Sequence, residues 1–159
     1  MIEKIDHIAI AVKDLEASKR KFIEAFGAKF LFQKENPKDQ YVVALFRLGE
    51  NIISLLESTS PEGFIARHIE RFGEGVQHIG IEVNNLNTTI EHWDQFGFKT
   101  GSYEEVPGVR RQVLLSPKNG FGIIFQVMEW LGEFKESSAE RRLGEIWGGE
   151  SPTNQSLKR

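Results

Sequence analysis

The sequence has no cysteine, and this absence excludes disulfide bonds, thiolate metal sites and cysteine nucleophiles together. Positive charge is not in excess either, because the formal net charge is -3, so charge gives no support to a nucleic-acid or anionic-membrane partner. Apolar runs are short, and Met1 to Lys4 lacks the apolar core of a signal peptide. We therefore expect a cytoplasmic protein with a small-molecule ligand, and any metal must bind to histidine, carboxylate, amide or hydroxyl groups.

The 159 residues suffice for one domain with its own core, and within them the chain repeats itself. Ile5-Asp-His-Ile-Ala-Ile-Ala-Val12 recurs as Val76-Gln-His-Ile-Gly-Ile-Glu-Val83, so that His7 and His78 occupy the same place. In each copy Asp14 or Asn85 can cap a helix that ends at a glycine, Gly27 or Gly97. Strand-like stretches follow at 29–33, 41–48 and 51–57, and at 98–103, 110–116 and 121–128. The pattern predicts two tandem βαβββ modules, 4–58 and 75–129, in an α+β domain with a curved, cupped mixed sheet.

Two further segments complete this organisation. A connecting helix is predicted over 60–73, with Ser60 as its cap and Pro61 at its first position. This helix joins the two modules, so residues 1–130 are predicted to form a single domain. Residues 131–159 are then a C-terminal extension. It is predicted to contain a short helix from Ser138 to Trp147, which Gly148-Gly149 ends, and a loose tail over 150–159.

The extension helix has two predicted faces. Glu140-Arg141-Arg142 reads as a solvated face, whereas Leu143, Ile146 and Trp147 can dock on the body or on a second subunit. Because a terminal extension with an apolar face favours association, we expect a homodimer.

Side chains of a strand alternate between faces, so His7 shares a face with Ala9 and Ala11, and His78 shares one with Gly80 and Glu82. The bulky residues of the opposite faces must pack on the helices. Each histidine therefore lies on a face lined by small residues, which leaves room for a ligand.

The stretches His7-Ile-Ala-Ile-Ala-Val-Lys-Asp-Leu-Glu16 and Gly73-Glu-Gly-Val-Gln-His-Ile-Gly-Ile-Glu-Val83 resemble the vicinal oxygen chelate superfamily of glyoxalase I, extradiol dioxygenases and fosfomycin-resistance proteins. The connector from Ser60 to Gly75, Glu105-Val-Pro-Gly-Val109 and Leu115-Ser-Pro-Lys118 resemble its methylmalonyl-CoA epimerase branch. The resemblance covers about residues 4–129. It implies a glyoxalase-like fold and a metal-assisted isomerase or epimerase that acts on a small acyl-CoA or oxo or hydroxy acid through an enolate-like intermediate.

The resemblance also implies four ligands for a divalent metal such as Zn, Co, Ni, Mn or Fe, which are His7, Ser54, His78 and Gln126 in this sequence. Ser54 replaces a glutamine or glutamate of the family, and Gln126 replaces a glutamate. Because neutral oxygens bind a dication more weakly than carboxylates, metal affinity is expected to be reduced.

The remaining candidates are a base and substrate-binding groups. Asp39 lies where the family has its glutamate base. Four charged residues are candidates for substrate contacts, with Glu57 and Glu82 also in reserve as ligands: Arg110, Arg111, Glu82 and Glu57.

Two alternatives remain open. The chain can be a metal-free protein that binds or sequesters a drug or metabolite, with Ser54 and Gln126 marking a lost metal site. It can also be a glyoxalase-like lyase or isomerase in which His7 or His78 serves as general base.

Overall fold

The computed structural model describes residues 1–147, which form two compact units. The N-terminal unit contains residues 7–77, and the C-terminal unit contains residues 78–147 together with residues 1–6. The predicted Gly148-Gly149 helix end and the predicted tail over 150–159 lie outside the described residues.

The order of elements is strand, helix and three strands, twice over, as the repeat predicts. The first copy and the connecting helix are β1 (Ile2–Ala11), α1 (Leu15–Glu24), β2 (Lys29–Asn36), β3 (Tyr41–Leu48), β4 (Asn51–Ser58) and α2 (Phe64–Phe72). The second copy and the extension are β5 (Gly75–Val83), α3 (Leu86–Asp94), β6 (Thr100–Val106), β7 (Arg110–Leu115), β8 (Ile124–Trp130), a 3₁₀ turn (Gly132–Glu136) and α4 (Ala139–Trp147).

Both copies have mixed strand pairing with the same order. In the first copy β1 pairs parallel with β4, β4 antiparallel with β3, and β3 antiparallel with β2. In the second copy β5 pairs parallel with β8, β8 antiparallel with β7, and β7 antiparallel with β6. The α+β class and the βαβββ pattern are therefore confirmed.

The helices of the two copies begin at the predicted caps. The Asp14 carboxylate accepts a hydrogen bond from the Ala17 backbone N–H at 2.8 Å, and the Asn85 amide oxygen accepts one from Thr88 at 3.0 Å. These bonds satisfy donors that the first helical turn leaves without intrahelical partners. Gly27 and Gly97 have positive φ, at 65° and 80°, a few residues beyond the last helical residues Glu24 and Asp94.

The bulky face of each first strand packs against the helix that follows it. In the N-terminal unit Ile8, Ile10 and Val12 contact a core that includes Leu15 of α1 and Phe46 of β3. The C-terminal unit repeats the arrangement, with a cluster formed by Ile79, Ile81, Val83, Leu86, Val113 and Val127. Full burial of one such side chain stabilises the fold by about 1.5–3 kcal/mol, which fixes the faces of β1 and β5 and leaves their histidine faces for other contacts.

The connecting helix begins later than predicted. Helix α2 starts at Phe64 with Gly63 as its N-terminal cap residue, and Ser60 closes a turn by accepting a hydrogen bond from the Gly63 N–H at 3.0 Å. The prediction that Ser60 caps the helix was therefore wrong, because its hydroxyl accepts from Glu62 within this turn.

Two strands of the second copy are displaced toward the C-terminus. Strand β6 begins at Thr100, because the Phe98 N–H still donates to the Trp93 carbonyl at the end of α3. Strand β8 begins at Ile124, because Ile123 donates to Gly120 and the intervening Phe121 and Gly122 adopt positive φ of 58° and 88°.

The extension helix confirms one expectation and corrects another. Ile146 packs on the cluster that includes Met128, Trp130 and Phe134, as predicted for a docking face. Arg142 was expected on a solvated face, but it is only 5% exposed, because it binds buried acceptors of the C-terminal unit. The side chains of Leu143 and Trp147 lie outside the described part of the chain.

Within residues 1–147, no helix combines the length and the apolar character that crossing a membrane requires.

Candidate functional site

His7 and Ser54 lie on one face of the N-terminal unit. Strands β1 and β4 pair with Ala9 opposite Ser54, and His7 precedes Ala9 by one alternation of the strand. Ala9 is fully buried and Ser54 is 4% exposed, whereas His7 is half-buried. The small residues predicted beside His7 are therefore in place, and a serine oxygen lies among them.

His78 and Gln126 repeat this arrangement in the C-terminal unit. Strands β5 and β8 pair with Gly80 opposite Gln126, and His78 precedes Gly80 by one alternation. Gly80 thus corresponds to Ala9, and Gln126 corresponds to Ser54. The register of the strands therefore places Ser54 and Gln126 at equivalent positions of the two copies.

A chain of polar side chains starts at Gln126 and crosses two strands. The Gln126 amide nitrogen donates to the Gln112 amide oxygen at 2.6 Å, and the Gln112 amide nitrogen donates to a Glu104 carboxylate oxygen at 2.8 Å. Gln112 lies on β7 and is 7% exposed, and Glu104 lies opposite it on β6 at the surface. We call Glu104, Gln112 and Gln126 the glutamine relay.

Gln112 and Glu104 were not among the site residues predicted from the sequence. The available signal was a glutamine in the otherwise apolar Gln112-Val113-Leu114-Leu115, on a strand that neighbours Gln126. The matching positions of the N-terminal unit are Lys34 and Val43, which pair with each other between β2 and β3. Because Val43 has no polar atoms in its side chain, the relay belongs to the second copy alone.

Glu57 lies on the helix-facing side of β4, opposite to the face of Ser54. Its carboxylate accepts a hydrogen bond from the backbone N–H of Leu15, the first residue of α1, at 2.7 Å. Glu129 does the same for Leu86, the first residue of α3, at 2.8 Å. A carboxylate at a helix N-terminus is favourable both as an acceptor and toward the helix dipole, so the structure gives Glu57 a capping contact.

The two arginines of β7 point to opposite faces. Arg111 pairs with Glu129 at 3.0 Å, and the hydrogen bond to Glu129 raises the pKa of Arg111 above its usual value. Arg110 shares the face of Gln112, and its guanidinium lies 5.6 Å from the centre of the Trp130 ring. Arg110 is therefore the arginine on the face that carries Gln126.

Glu82 shares the face of His78 and Gly80 and is bound by a buried arginine. Arg142 Nη1 donates to Glu82 Oε2 at 2.9 Å, and Lys4 Nζ lies 3.5 Å from the same oxygen. Glu82 is 8% exposed. Its carboxylate is thus neutralised by protein cations within the C-terminal unit.

Asp39 lies at the surface in the turn between β2 and β3. Its carboxylate accepts a hydrogen bond from the Asn36 amide at 2.9 Å, and its backbone N–H donates to the Asn36 side-chain oxygen at 3.1 Å. The carboxylate is held in one place by these bonds but stays accessible from solvent.

The chemistry of the donor set decides which metal these residues can hold. Across the described residues there is no group of three or more His, Asp or Glu side chains placed to hold a metal ion. Each unit offers instead one imidazole and one neutral oxygen, from Ser54 or Gln126. Imidazole suits Zn, Co, Ni and Fe, so the donors of each unit are of a type that divalent transition metals accept.

Comparison with known proteins identifies the relatives of the chain. The uncharacterized protein YqjC of Bacillus subtilis is 26% identical over 57% of this chain, and the match spans 64% of that protein. The ethylmalonyl-CoA/methylmalonyl-CoA epimerase of Cereibacter sphaeroides is 28% identical over 80% of this chain and 98% of its own length. The crystal structure of a hypothetical protein from Bacillus halodurans superposes with a TM-score of 0.73 at 26% identity, covering 82% of this chain and 96% of the other.

The fold is that of the superposed structure, and a family model matches most of the first copy of the repeat and the first part of the second. That model describes the Glyoxalase/Bleomycin resistance protein/Dioxygenase superfamily and matches residues 6–112. It covers α1, the connecting helix α2, β5 and the part of β1 that contains His7. The chain belongs to the Glyoxalase/Bleomycin resistance protein/Dioxygenase superfamily.

Proposed function

We propose that this protein is a metal-assisted epimerase or isomerase that acts on a small acyl-CoA or a related oxo or hydroxy acid through an enolate-like intermediate. The observation that carries the proposal is the matched register of the two units. It gives each unit a histidine and an oxygen donor at equivalent positions on a small-residue face. The similarity to an ethylmalonyl-CoA/methylmalonyl-CoA epimerase supports the substrate class.

His7, His78, Gln126 and Ser54 are the proposed ligands. A bound divalent ion would polarise the substrate carbonyl next to the acidic C–H bond. The imidazoles must be neutral to bind a metal ion. The oxygens of Ser54 and Gln126 leave the site without protein negative charge, which favours an anionic substrate as an additional ligand.

The protein groups that handle substrate charge and protons are Arg110 and Asp39. Arg110 lies on the face of Gln126 and is our proposed partner for a substrate carboxylate or phosphate, because a guanidinium binds such groups through two parallel hydrogen bonds. Asp39 is our proposed base for the α-proton. The hydrogen bond from Asn36 holds its carboxylate in one place.

A second candidate function is metal-free binding of a small molecule. It is favoured by one specific observation, which is that neither oxygen position carries a carboxylate while both histidine positions are retained. In that case the histidine faces form a ligand surface without a metal.

One experiment separates the two functions. The protein is freed of metal by chelation, titrated with Co²⁺, and assayed for exchange of the α-proton of methylmalonyl-CoA in D₂O. We expect His7→Gln and His78→Gln to lose both Co²⁺ binding and exchange. Asp39→Asn should keep Co²⁺ binding and lose exchange by a factor of about 100 or more, as for removal of a general base.

Lys38→Gln is the matched control, because it changes a neighbouring charge in the same turn and should leave exchange unchanged. Wild-type protein that folds, binds methylmalonyl-CoA and takes up no Co²⁺ would contradict the metal-assisted function and favour the binding function.

A further inference from the structure

The glutamine relay has a direction that chemistry alone determines. An ionised carboxylate has only acceptor atoms, whereas a glutamine amide has a donor end and an acceptor end. Glu104 therefore requires the NH₂ end of Gln112, which donates to it at 2.8 Å. This orientation does not depend on distinguishing nitrogen from oxygen by shape.

The direction passes on to Gln126. With its NH₂ end at Glu104, Gln112 turns its oxygen toward Gln126 at a contact of 2.6 Å. Two amide oxygens at that distance would repel each other, so Gln126 must offer its own NH₂ end. Gln112 is the one hydrogen-bonding partner of the Gln126 side chain among the residues that the structure describes. Its oxygen is the end turned away from β7.

We propose that Glu104 is a positioning residue, which acts through Gln112 to present the oxygen rather than the NH₂ group of Gln126 on the face that carries His78. This inference rests on the proposed function, since an oxygen is the end that a metal needs. A lone glutamine at this place would expose either end. The relay makes it an acceptor, and thereby lets a neutral side chain replace the carboxylate that the resemblance implies.

The N-terminal unit supplies the variant that tests this direction. Lys34 stands opposite Val43 at the position that matches Glu104, so the sheet accommodates a lysine there. A lysine ammonium has only donors. Glu104→Lys should therefore reverse the relay, so that Gln112 turns its NH₂ end to Gln126 and Gln126 exposes its own NH₂ group.

The first measurement uses the metal-free protein. Side-chain NH₂ resonances of Gln112 and Gln126 are compared by NMR in the wild type, Glu104→Lys and Glu104→Gln. In the wild type both NH₂ groups are hydrogen-bonded and should therefore exchange slowly with solvent. In Glu104→Lys, Gln126 alone should lose that protection. Unchanged protection of Gln126 in a folded Glu104→Lys protein would overturn the proposal.

The second measurement is Co²⁺ affinity in two backgrounds. In the background with the natural Gln126, Glu104→Lys should weaken Co²⁺ binding by about 10- to 100-fold, which is the usual effect of losing a group that orients a metal ligand. In a Gln126→Glu background Glu104→Lys should strengthen Co²⁺ binding. With the Glu104→Lys change in place, Gln112 turns its NH₂ group to the new carboxylate and donates to it. With Glu104 in place, Gln112 turns its oxygen to that carboxylate, and the two groups repel each other. Glu104→Gln permits both directions and should lie between.

The change of sign separates the relay from simple charge. An added cation repels Co²⁺ in either background, so weakening in both backgrounds would contradict the proposed role of Glu104. If the wild type takes up no Co²⁺, the proposed function fails, and the NMR measurement still decides whether Glu104 orients Gln126.

Discussion

Replacing Arg142 should destabilise the protein strongly, although the residue belongs to an extension outside the repeated modules. Its guanidinium donates to Glu82 at 2.9 Å and to the Phe134 carbonyl at 2.7 Å, and it also donates to the Lys135 carbonyl. It packs 4.7 Å from the centre of the Trp130 ring. All of these contacts lie within the C-terminal unit.

The expected magnitude follows from what Arg142→Met leaves behind. Methionine keeps much of the apolar stem, but Glu82 stays 8% exposed with only the exposed Lys4 as a cation, 3.5 Å away. Removing one partner of a buried ion pair costs about 3–5 kcal/mol. At about 2–4 °C per kcal/mol for a chain of this size, the melting temperature should fall by roughly 6–20 °C.

Chemical denaturation of the full chain measures this loss, and two further variants identify its cause. Arg142→Lys keeps the charge without the planar fork and should cost less, about 1–3 kcal/mol. The double variant Arg142→Met with Glu82→Met removes the more closely paired of the two carboxylates that Arg142 binds, the other being Asp6 at 3.6 Å, and should recover about 2 kcal/mol of the loss.

Detachment of α4 gives a second readout. If the helix detaches when Arg142 is lost, hydrogen exchange of its backbone amides should accelerate while amides of β5 stay protected. A loss below about 1 kcal/mol, together with unchanged exchange of α4, would refute this reasoning about the buried ion pair.

The other predictions concern helix α1 and helix α2. Glu57→Gln should lower the free energy of unfolding, measured by denaturation, by about 1 kcal/mol, because the hydrogen bond to the Leu15 N–H is weakened. It should leave Co²⁺ affinity, measured by titration, unchanged. A large loss of Co²⁺ affinity would show that Glu57 is a ligand. Burial lowers the pKa of His68 below its usual 6.5, so the unfolded chain binds the proton more readily and His68 costs stability as the pH falls from about 7 toward the lowered pKa. The melting temperature should therefore fall less steeply with decreasing pH for His68→Gln than for the wild type. Equal slopes for the two proteins would contradict this.

Much of the fold was predictable because the sequence repeats. Bulky residues at alternate positions of Ile5 to Val12 and Val76 to Val83 have one way to be buried, and Asp14 and Asn85 supply caps that work locally. The starts of β6 and β8 were predicted too early. Residues there are of types that favour strands, but their backbone forms turns, one after α3 and one around Phe121. Ser60 was misplaced for a similar reason, because a serine that can cap a helix can equally close a turn.

The candidate site was predictable to the extent that it depends on strand alternation. Ser54 and Gln126 were named from the family resemblance, and the register of β1 with β4 and of β5 with β8 places them at equivalent positions. The contact of Arg142 with Glu82 could not be predicted, because it joins residues 60 positions apart in the sequence. The contact of Gln112 with Gln126 depends on the register of β7 with β8, which the glutamine in an apolar strand does not give by itself. Arg142 in particular lies in a charged run, and burial of an arginine depends on acceptors that only the folded chain brings to it.

In the last strand of each module, β4 and β8, the residues at odd and even positions have different roles. Glu57 and Glu129 face the helices and make the same contact in both copies, whereas Ser54 and Gln126 face the other way and differ. One side of these strands therefore makes the same contact with a helix in both copies, while the other side carries different residues in each copy. Substitutions at the positions of Ser54 and Gln126 can therefore change the chemistry of this face without affecting the carboxylates that bind the first residues of α1 and α3.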